Sequence, residues 1–307
     1  MEVNRAAEKL KTISAINITP FRGDLTIDWE VLRRNVDFLL DNELDVIVPS
    51  GNTGEFYSLT VEEAKEENRK VSEWAGSRAM VVAGIGYAVE TAVEMGLDAK
   101  RAGADAVLIH MPIHPYMNEE GTAAYFRRII EEVDMPAVIY FKNPEISDDV
   151  LKKLTPLPQL MGVKYAINDL PRFTKIVRQT PDRHGVTWVC GTAEKWAPYF
   201  WAAGAEGFTS GLVNLHPEIS HALLEKLRDG DWQGVWDLWE KMVPFEDLRA
   251  RHHAGNNVVV IKEALQMLGF PAGPTREPVS ALSRDENQEV ADLLSRWKLG
   301  RETFLNV

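Results

Sequence analysis

The sequence predicts an α/β protein, a (β/α)8 barrel followed by a C-terminal helical extension. Eight short runs rich in Val, Ile and Ala recur along the chain, each followed by a longer amphipathic stretch. Their starts lie roughly 20 to 35 residues apart, the pace of repeated strand–helix units. Most of the runs are apolar throughout rather than alternating, as parallel strands covered on both faces require. No Gly-x-Gly-x-x-Gly follows the first run, which argues against an open dinucleotide-binding sheet.

In chain order the predicted strands are Ser14–Thr19, Asp45–Pro49, Met80–Gly84, Ala106–Ile109, Ala137–Tyr140, Met161–Lys164, Val186–Cys190 and Glu206–Thr209. The segments between them read as helices. Thr60, with Glu63 three residues on, forms a capping-box signature that opens the helix after the second strand. Val89, Ala92, Val93 and Leu97 share one helical face after the third. Beyond the eighth strand and its helix, a Trp- and charge-rich helix is expected over Asp231–Arg251. Further helices are expected near Val258–Leu268 and Asp285–Leu299. The last has Ser283 and Glu286 as its capping box, with Val290, Leu293, Leu294 and Trp297 facing inward. The division implied is a catalytic barrel over 1–228 and a helical domain over 229–307.

The 307 residues carry 46 acidic and 34 basic side chains, a net charge of −12. That balance repels nucleic acid and anionic membranes while leaving room for a local basic pocket. A single cysteine, Cys190, permits no intrachain disulfide and no thiolate cluster. The N-terminus has no signal-like apolar stretch, and no window approaches a membrane span. A cytoplasmic location is expected.

Catalytic groups of a barrel sit at the C-terminal ends of its strands. Those ends here hold Ser50 to Glu55, His110 to Tyr116, Tyr140, Lys164, Gly191 to Glu194, and Thr209-Ser210-Gly211. Lys164 closes an apolar run, so its ammonium is partly desolvated and some neutral amine is free to attack a carbonyl. A strand-end lysine also serves as an ion-pair partner or snorkels to solvent. Tyr140 ends a neighbouring strand and offers either a proton relay or a buried structural hydroxyl. The turn Gly51-Asn52-Thr53-Gly54 can present successive N–H groups and the Thr53 hydroxyl to a carboxylate. Thr209 and Ser210 have the same capacity. His110 and His114 lie near one strand end without the intervening carboxylate of a zinc arrangement, and no metal is expected.

Taken in order, these residues resemble the dihydrodipicolinate synthase / N-acetylneuraminate lyase family of Schiff-base barrels. Ile18-Thr19-Pro20-Phe21 looks like its first-strand Thr-Pro-Phe. Gly51-Asn52-Thr53-Gly54-Glu55 looks like its Gly-[Thr/Ser]-Thr-Gly-Glu. Tyr140 and Lys164, the latter in Gly162-Val163-Lys164, stand at its catalytic tyrosine and lysine. Gly207 to Asn214 and Lys262 to Leu282 resemble its eighth-strand loop and closing segment. The resemblance implies an imine between Lys164 and a 2-oxo acid such as pyruvate, with no other cofactor. It implies a proton relay through Tyr140, carboxylate binding by Thr53, a pocket lined by Gly191 and Thr209, and a homotetramer or homodimer.

Departures from the family pattern bear on the substrate. Asn52 replaces a threonine, and Pro112-Ile113-His114 replaces an aromatic pair that serves the neighbouring subunit. Tyr140-Phe141-Lys142-Asn143-Pro144-Glu145 lacks the arginine that grips a second substrate, and Ala193-Glu194 replaces the Asp-Glu of neuraminate lyases. Lys142 either takes over the acid clamp or is a solvated loop lysine. His114 or Asn52 is a candidate for the distal end of the substrate. The run through Phe56-Tyr57-Ser58-Leu59 is closer to 5-dehydro-4-deoxyglucarate dehydratases. The expected activity is therefore a lysine-dependent lyase on a 2-oxo acid such as pyruvate or a keto sugar acid, with a 5-dehydro-4-deoxyglucarate dehydratase-like hydro-lyase as the leading specific case. A true dihydrodipicolinate synthase, a pyruvate aldolase and a non-catalytic acid-binding barrel are the alternatives.

Overall fold

The computed structural model describes residues 2–181 and 184–304. Eight strands close into a parallel barrel in sequence order. They are β1 (Ile13–Ala15), β2 (Val46–Ile47), β3 (Met80–Ile85), β4 (Ala106–Ile109), β5 (Ala137–Phe141), β6 (Leu160–Tyr165), β7 (Thr187–Cys190) and β8 (Gly207–Ser210). The first two are shorter than the sequence predicts. After Ala15 the chain bends across the barrel mouth, where Asn17 and Thr19 bond to Glu67 instead of a neighbouring strand.

A short helix absent from the sequence reading, α1 (Val3–Lys9), precedes β1. Its Ala6 and Ala7, with Leu10, pack on the barrel's interior residues Val46, Met80, Ala106 and Met161 and close its lower end. The outer ring is α2 (Trp29–Asp41), α3 (Val61–Ala75), α4 (Val89–Arg101), α5 (Glu119–Val133), α6 (Asp149–Leu154), α7 (Leu170–Gln179), α8 (Ala193–Ala202) and α9 (Pro217–Asp229). The capping box at Thr60 and Glu63 is formed at the start of α3. Because side chains alternate along each strand, Ile16, Val48, Val82, Leu108, Val138, Lys164, Val189 and Thr209 face one another inside the barrel. The alternate residues, such as Val163, Trp188 and Phe208, pack outward against the helices.

Three helices follow: α10 (Trp232–Ala254), α11 (Val259–Met267) and α12 (Arg284–Trp297). The Ser283–Glu286 capping box opens α12. Inside α10 the backbone leaves helical geometry at Arg251, His252 and His253, which turns the chain back over the barrel mouth. Trp297 is half-buried against His216 and Phe245. No helix among the described residues is long and apolar enough to cross a membrane.

The segment after α11 is tied to the mouth by buried charge. Lys262, 1% exposed, pairs with Glu55 and donates to the Pro274 carbonyl at 2.8 Å. The Arg276 guanidinium holds both oxygens of Glu63 and the carbonyls of Leu25 and Ser58, while its backbone N–H donates to Glu55. Removing one partner of a buried ion pair strands the other. Lys262→Met is therefore expected to cost about 3–5 kcal/mol, read from the denaturant midpoint. A loss below about 1 kcal/mol would show that Glu55 finds another partner.

Candidate active site

Tyr140 and Lys164 are register partners across β5 and β6, and both face the barrel interior at its C-terminal mouth. The Lys164 ammonium nitrogen lies 4.2 Å from the centroid of the Tyr140 ring. Lys164 is 3% exposed, and among the described residues no carboxylate is within ion-pair distance of it. Burial, helped by the nearby charge of Lys142, brings its amine down to about 7. Burial pushes the Tyr140 phenol well above its ordinary range. Near neutral pH the pair thus combines a substantial fraction of free amine with a protonated phenol, the states wanted in a nucleophile and an acid. The ion-pair and snorkelling alternatives for Lys164 do not fit this geometry.

Gly191 allows the lysine its position. A Cβ there would stand 3.0 Å from Lys164 Cγ and 2.8 Å from both the Tyr165 carbonyl and Ala166 Cβ.

Across the mouth, Ser50 and Glu55 bracket the glycine turn with left-handed backbone, φ 53° and 59°. Few non-glycine residues adopt such angles unless their surroundings impose them. The imposing group here is Glu67, which is fully buried. Its carboxyl accepts from Asn17 Nδ2 at 2.8 Å and Ser50 N–H at 3.3 Å, and the Thr19 hydroxyl links it to the Gly54 carbonyl. Burial raises the Glu67 carboxyl to about 7. Among the described residues the N–H groups of residues 51 to 54 make no hydrogen bond within the chain, so the turn offers unpaired donors. Asn52 Nδ2 donates to the Tyr140 hydroxyl at 2.8 Å, joining the turn to β5.

A second chain of contacts supports the same turn. Burial holds the His110 imidazole neutral, down to about 3. Its Nε2 faces the Ser50 carbonyl at 3.0 Å and so carries the hydrogen, leaving Nδ1 to accept from Tyr57 Oη at 3.4 Å. The Lys142 ammonium donates to that hydroxyl at 3.1 Å and lies 4.5 Å from the Tyr57 ring centroid. Lys142 is therefore a packed residue beside the site, and burial lowers its amine. The solvated-loop reading does not hold.

Lys164, Tyr140, Asn52, Thr53, Gly191 and Thr209 line one cavity of about 240 Å³. Gly51 and Gly54 shape the turn but do not line the cavity. Ser210 does not reach it, because one residue beyond Thr209 the strand's alternation turns its side chain outward, where its hydroxyl meets Glu194. His114 also lies elsewhere. It sits on an exposed loop well past β4, with Nδ1 accepting from the Tyr116 N–H at 3.1 Å. The sequence reading missed Asn168, Lys195, Trp196, Arg249 and Asn257, which complete the cavity wall. Among the described residues no group of three or more His, Cys, Asp or Glu side chains gathers into a metal-holding set.

A family model described as the dihydrodipicolinate synthetase family matches residues 9–297. The chain is 28% identical to a probable 5-dehydro-4-deoxyglucarate dehydratase of Rhizobium rhizogenes, over 92% of this chain and 93% of that protein. It is 31% identical to a 4-hydroxy-tetrahydrodipicolinate synthase of Methanothrix thermoacetophila, over 91% and 94%. Among solved structures it is similar to a dihydrodipicolinate synthase from Bacillus clausii, with 61% identity, TM-score 0.95, and coverage of 96% of this chain and 100% of that one. A dihydrodipicolinate synthase from Oceanobacillus iheyensis shares 54% identity at TM-score 0.95, covering 97% of this chain and 99% of that one.

Proposed function

The chain belongs to the dihydrodipicolinate synthetase family, and from that premise we propose that Lys164 forms an imine with a 2-oxo acid whose carboxylate rests on the turn at Thr53. The observation that carries this reading is Lys164 itself, a buried amine without a carboxylate partner, stacked on a phenol and open to a cavity. The neutral amine adds to the ketone, water leaves, and the protonated imine withdraws electrons from the adjacent carbon. That carbon then loses a proton, and the enamine formed either expels a β-hydroxyl as water or adds to an aldehyde. Tyr140 is the group within reach to move the protons. Thr53 Oγ1 and the unpaired N–H groups of the turn are the acceptor's donors.

Within this lyase class the dehydration of a keto sugar acid is favoured. Asn52 donates an amide hydrogen to Tyr140, and an amide holds a phenol in place without passing protons onward as a hydroxyl does. A tyrosine held this way suits a reaction in which the proton taken from the carbon leaves with the departing hydroxyl. The condensation reading draws support from the likeness to the two dihydrodipicolinate synthase structures at 61% and 54% identity.

The test is borohydride reduction with pyruvate, followed by peptide mass spectrometry. A pyruvyl adduct on Lys164 is expected, with an initial rate that rises about tenfold per pH unit below about 7 and levels above it, following the free amine. Turnover of 5-dehydro-4-deoxyglucarate without added aldehyde would support dehydration. Turnover of pyruvate with aspartate semialdehyde would support condensation in its place. Absence of an adduct with any 2-oxo acid overturns the imine and favours a barrel that only binds acids.

A further inference from the structure

The turn after β2 frees its N–H groups for a carboxylate by tying its carbonyls behind it. The Ser50 carbonyl accepts from His110 Nε2 at 3.0 Å, Gly51 from the Phe56 N–H at 3.2 Å, Asn52 from the Glu55 N–H at 3.0 Å, and Gly54 from the Thr19 hydroxyl at 2.7 Å. The first three donors keep their hydrogens near neutral pH, because two are backbone amides and His110 is held neutral. The fourth leads on to Glu67.

A hydroxyl carries one hydrogen. That of Thr19 stands between two oxygens, the Gly54 carbonyl at 2.7 Å and Glu67 Oε2 at 3.0 Å. The carbonyl can only accept and makes the shorter contact, so it takes the Thr19 hydrogen. The hydrogen in the longer contact then has to come from Glu67. The rest of the carboxyl agrees. Oε1 accepts from Asn17 Nδ2 at 2.8 Å and from the Ser50 N–H at 3.3 Å, as the carbonyl oxygen of an acid does. Among the described residues Oε2 meets Thr19 alone. The charges nearby are already balanced: Glu55 on the turn pairs with Lys262 of α11, and Glu63, one turn earlier on α3, pairs with Arg276. The residues that touch the carboxyl, Asn17, Thr19 and Ser50, are neutral. Fully buried, an ionised Glu67 would be an anion without a counter-ion.

We propose that Glu67 works as a protonated acid, a positioning residue that donates to Thr19 and so fixes the Gly54 carbonyl behind the turn that receives the substrate carboxylate; the inference rests on the carboxylate-binding reading of that turn. Ionisation would undo this in two ways. A carboxylate makes the stronger, charge-assisted bond, so it would draw the Thr19 hydrogen to itself and leave the Gly54 carbonyl unpaired beside the free N–H groups. It would also set a buried negative charge behind the place where the substrate's own charge rests. Burial puts the loss of the Glu67 proton at about 7, so substrate affinity should fall as pH rises through that value. By the reciprocity of linked equilibria, bound substrate should in turn hold the proton on Glu67.

The experiment measures the pyruvate concentration that half-saturates cyanoborohydride trapping on Lys164, and the maximal trapping rate, from pH 6 to pH 9. Glu67→Gln offers the same acceptor with a donor that cannot ionise, and comparison with it cancels the titration of Lys164. Relative to that variant, the unmutated enzyme is expected to need a similar concentration at pH 6 and about 10-fold more at pH 9. The ratio of maximal rates should stay flat, because Lys164 and Tyr140 are unchanged in both. Thr19→Val cuts the link at its centre and is expected to raise the half-saturating concentration about 10-fold already at pH 6, while Thr19→Ser restores it. Infrared spectra decide the protonation state even if Glu67→Gln fails to fold. The protonated-carboxyl band lost between pH 6 and pH 9 should contain Glu67 beside Glu194, which burial also raises to about 7, and Thr19→Val should shift the Glu67 part alone. A Gln variant that binds pyruvate about 10-fold more weakly at pH 6 would show that Glu67 acts as an anion and overturn the inference. So would a concentration ratio that does not move with pH, a Thr19→Val enzyme that binds as before, or a carboxyl band that Thr19→Val leaves in place. Absence of any adduct would overturn the imine premise, and the infrared band would still report on Glu67.

Discussion

Lys164→Met is expected to lower turnover by at least about 10⁴-fold and, in the same protein, to raise stability. The two effects have one origin. Burial depresses the amine from 10.5 to about 7, which means that folding is opposed by the charge wherever the ammonium is present. Above about pH 10.5 the amine is neutral folded or unfolded, and no penalty applies. Between 10.5 and 7 the unfolded chain holds the proton that the folded one gives up, so stability falls as pH falls. Below about 7 the full penalty is present. Methionine fills nearly the same volume among Ile16, Val138 and Val189 without a charge. Denaturant titrations should therefore show the variant more stable by about 2–4 kcal/mol at pH 6, less than the shift alone implies because buried charges relax. The gain should shrink toward zero above pH 10.5. A variant that turned over substrate would end the imine mechanism. A variant less stable at pH 6 would show that Lys164 has a compensating partner in the folded state.

The same burial explains why this residue was legible in the sequence. A lysine closing an uninterrupted apolar run has few environments open to it, and parallel strands gather their C-terminal ends at one mouth. Lys164, Tyr140, Thr53, Gly191 and Thr209 could be drawn together from that rule before any coordinates. Ser210 fails by a single residue, because a side chain's face depends on parity and not on closeness to the strand end. His114 fails because an exposed loop carries it away from β4.

Arg249 and Asn257 were not legible at all, although their chemistry is plain once seen. They reach the cavity from the extension, Arg249 from α10 just before its break at Arg251 to His253 and Asn257 from the chain beyond it, and no local periodicity encodes how that extension lies on the barrel. Glu67 was hidden for a related reason. On α3 it reads as one more acid in a charged helix, and only the turn at Ser50 and the bend at Asn17 and Thr19 reveal its role. The helix α1 escaped because seven residues are too few to display a period.

Tyr140→Phe should separate imine formation from the proton transfers that follow. Phenylalanine keeps the ring beneath the Lys164 ammonium, 4.2 Å from its centroid in the unmutated protein, and keeps the burial that frees the amine. What it removes is the hydroxyl that Asn52 holds at 2.8 Å. The borohydride adduct with pyruvate should therefore still form on Lys164. Turnover should fall by about 10²- to 10⁴-fold, the contribution of one positioned acid–base group. Stranding the Asn52 amide should cost only about 1 kcal/mol, since that residue is only partly buried and lines the cavity, where water can replace the phenol. If adduct formation and turnover fell together, Tyr140 would be needed at carbinolamine collapse as well as later. If neither fell, the proton would have to travel another way, and the neighbouring group with a lowered amine is Lys142, 5.5 Å from the same ring. Lys142→Met in the Tyr140→Phe background would then remove the remaining turnover.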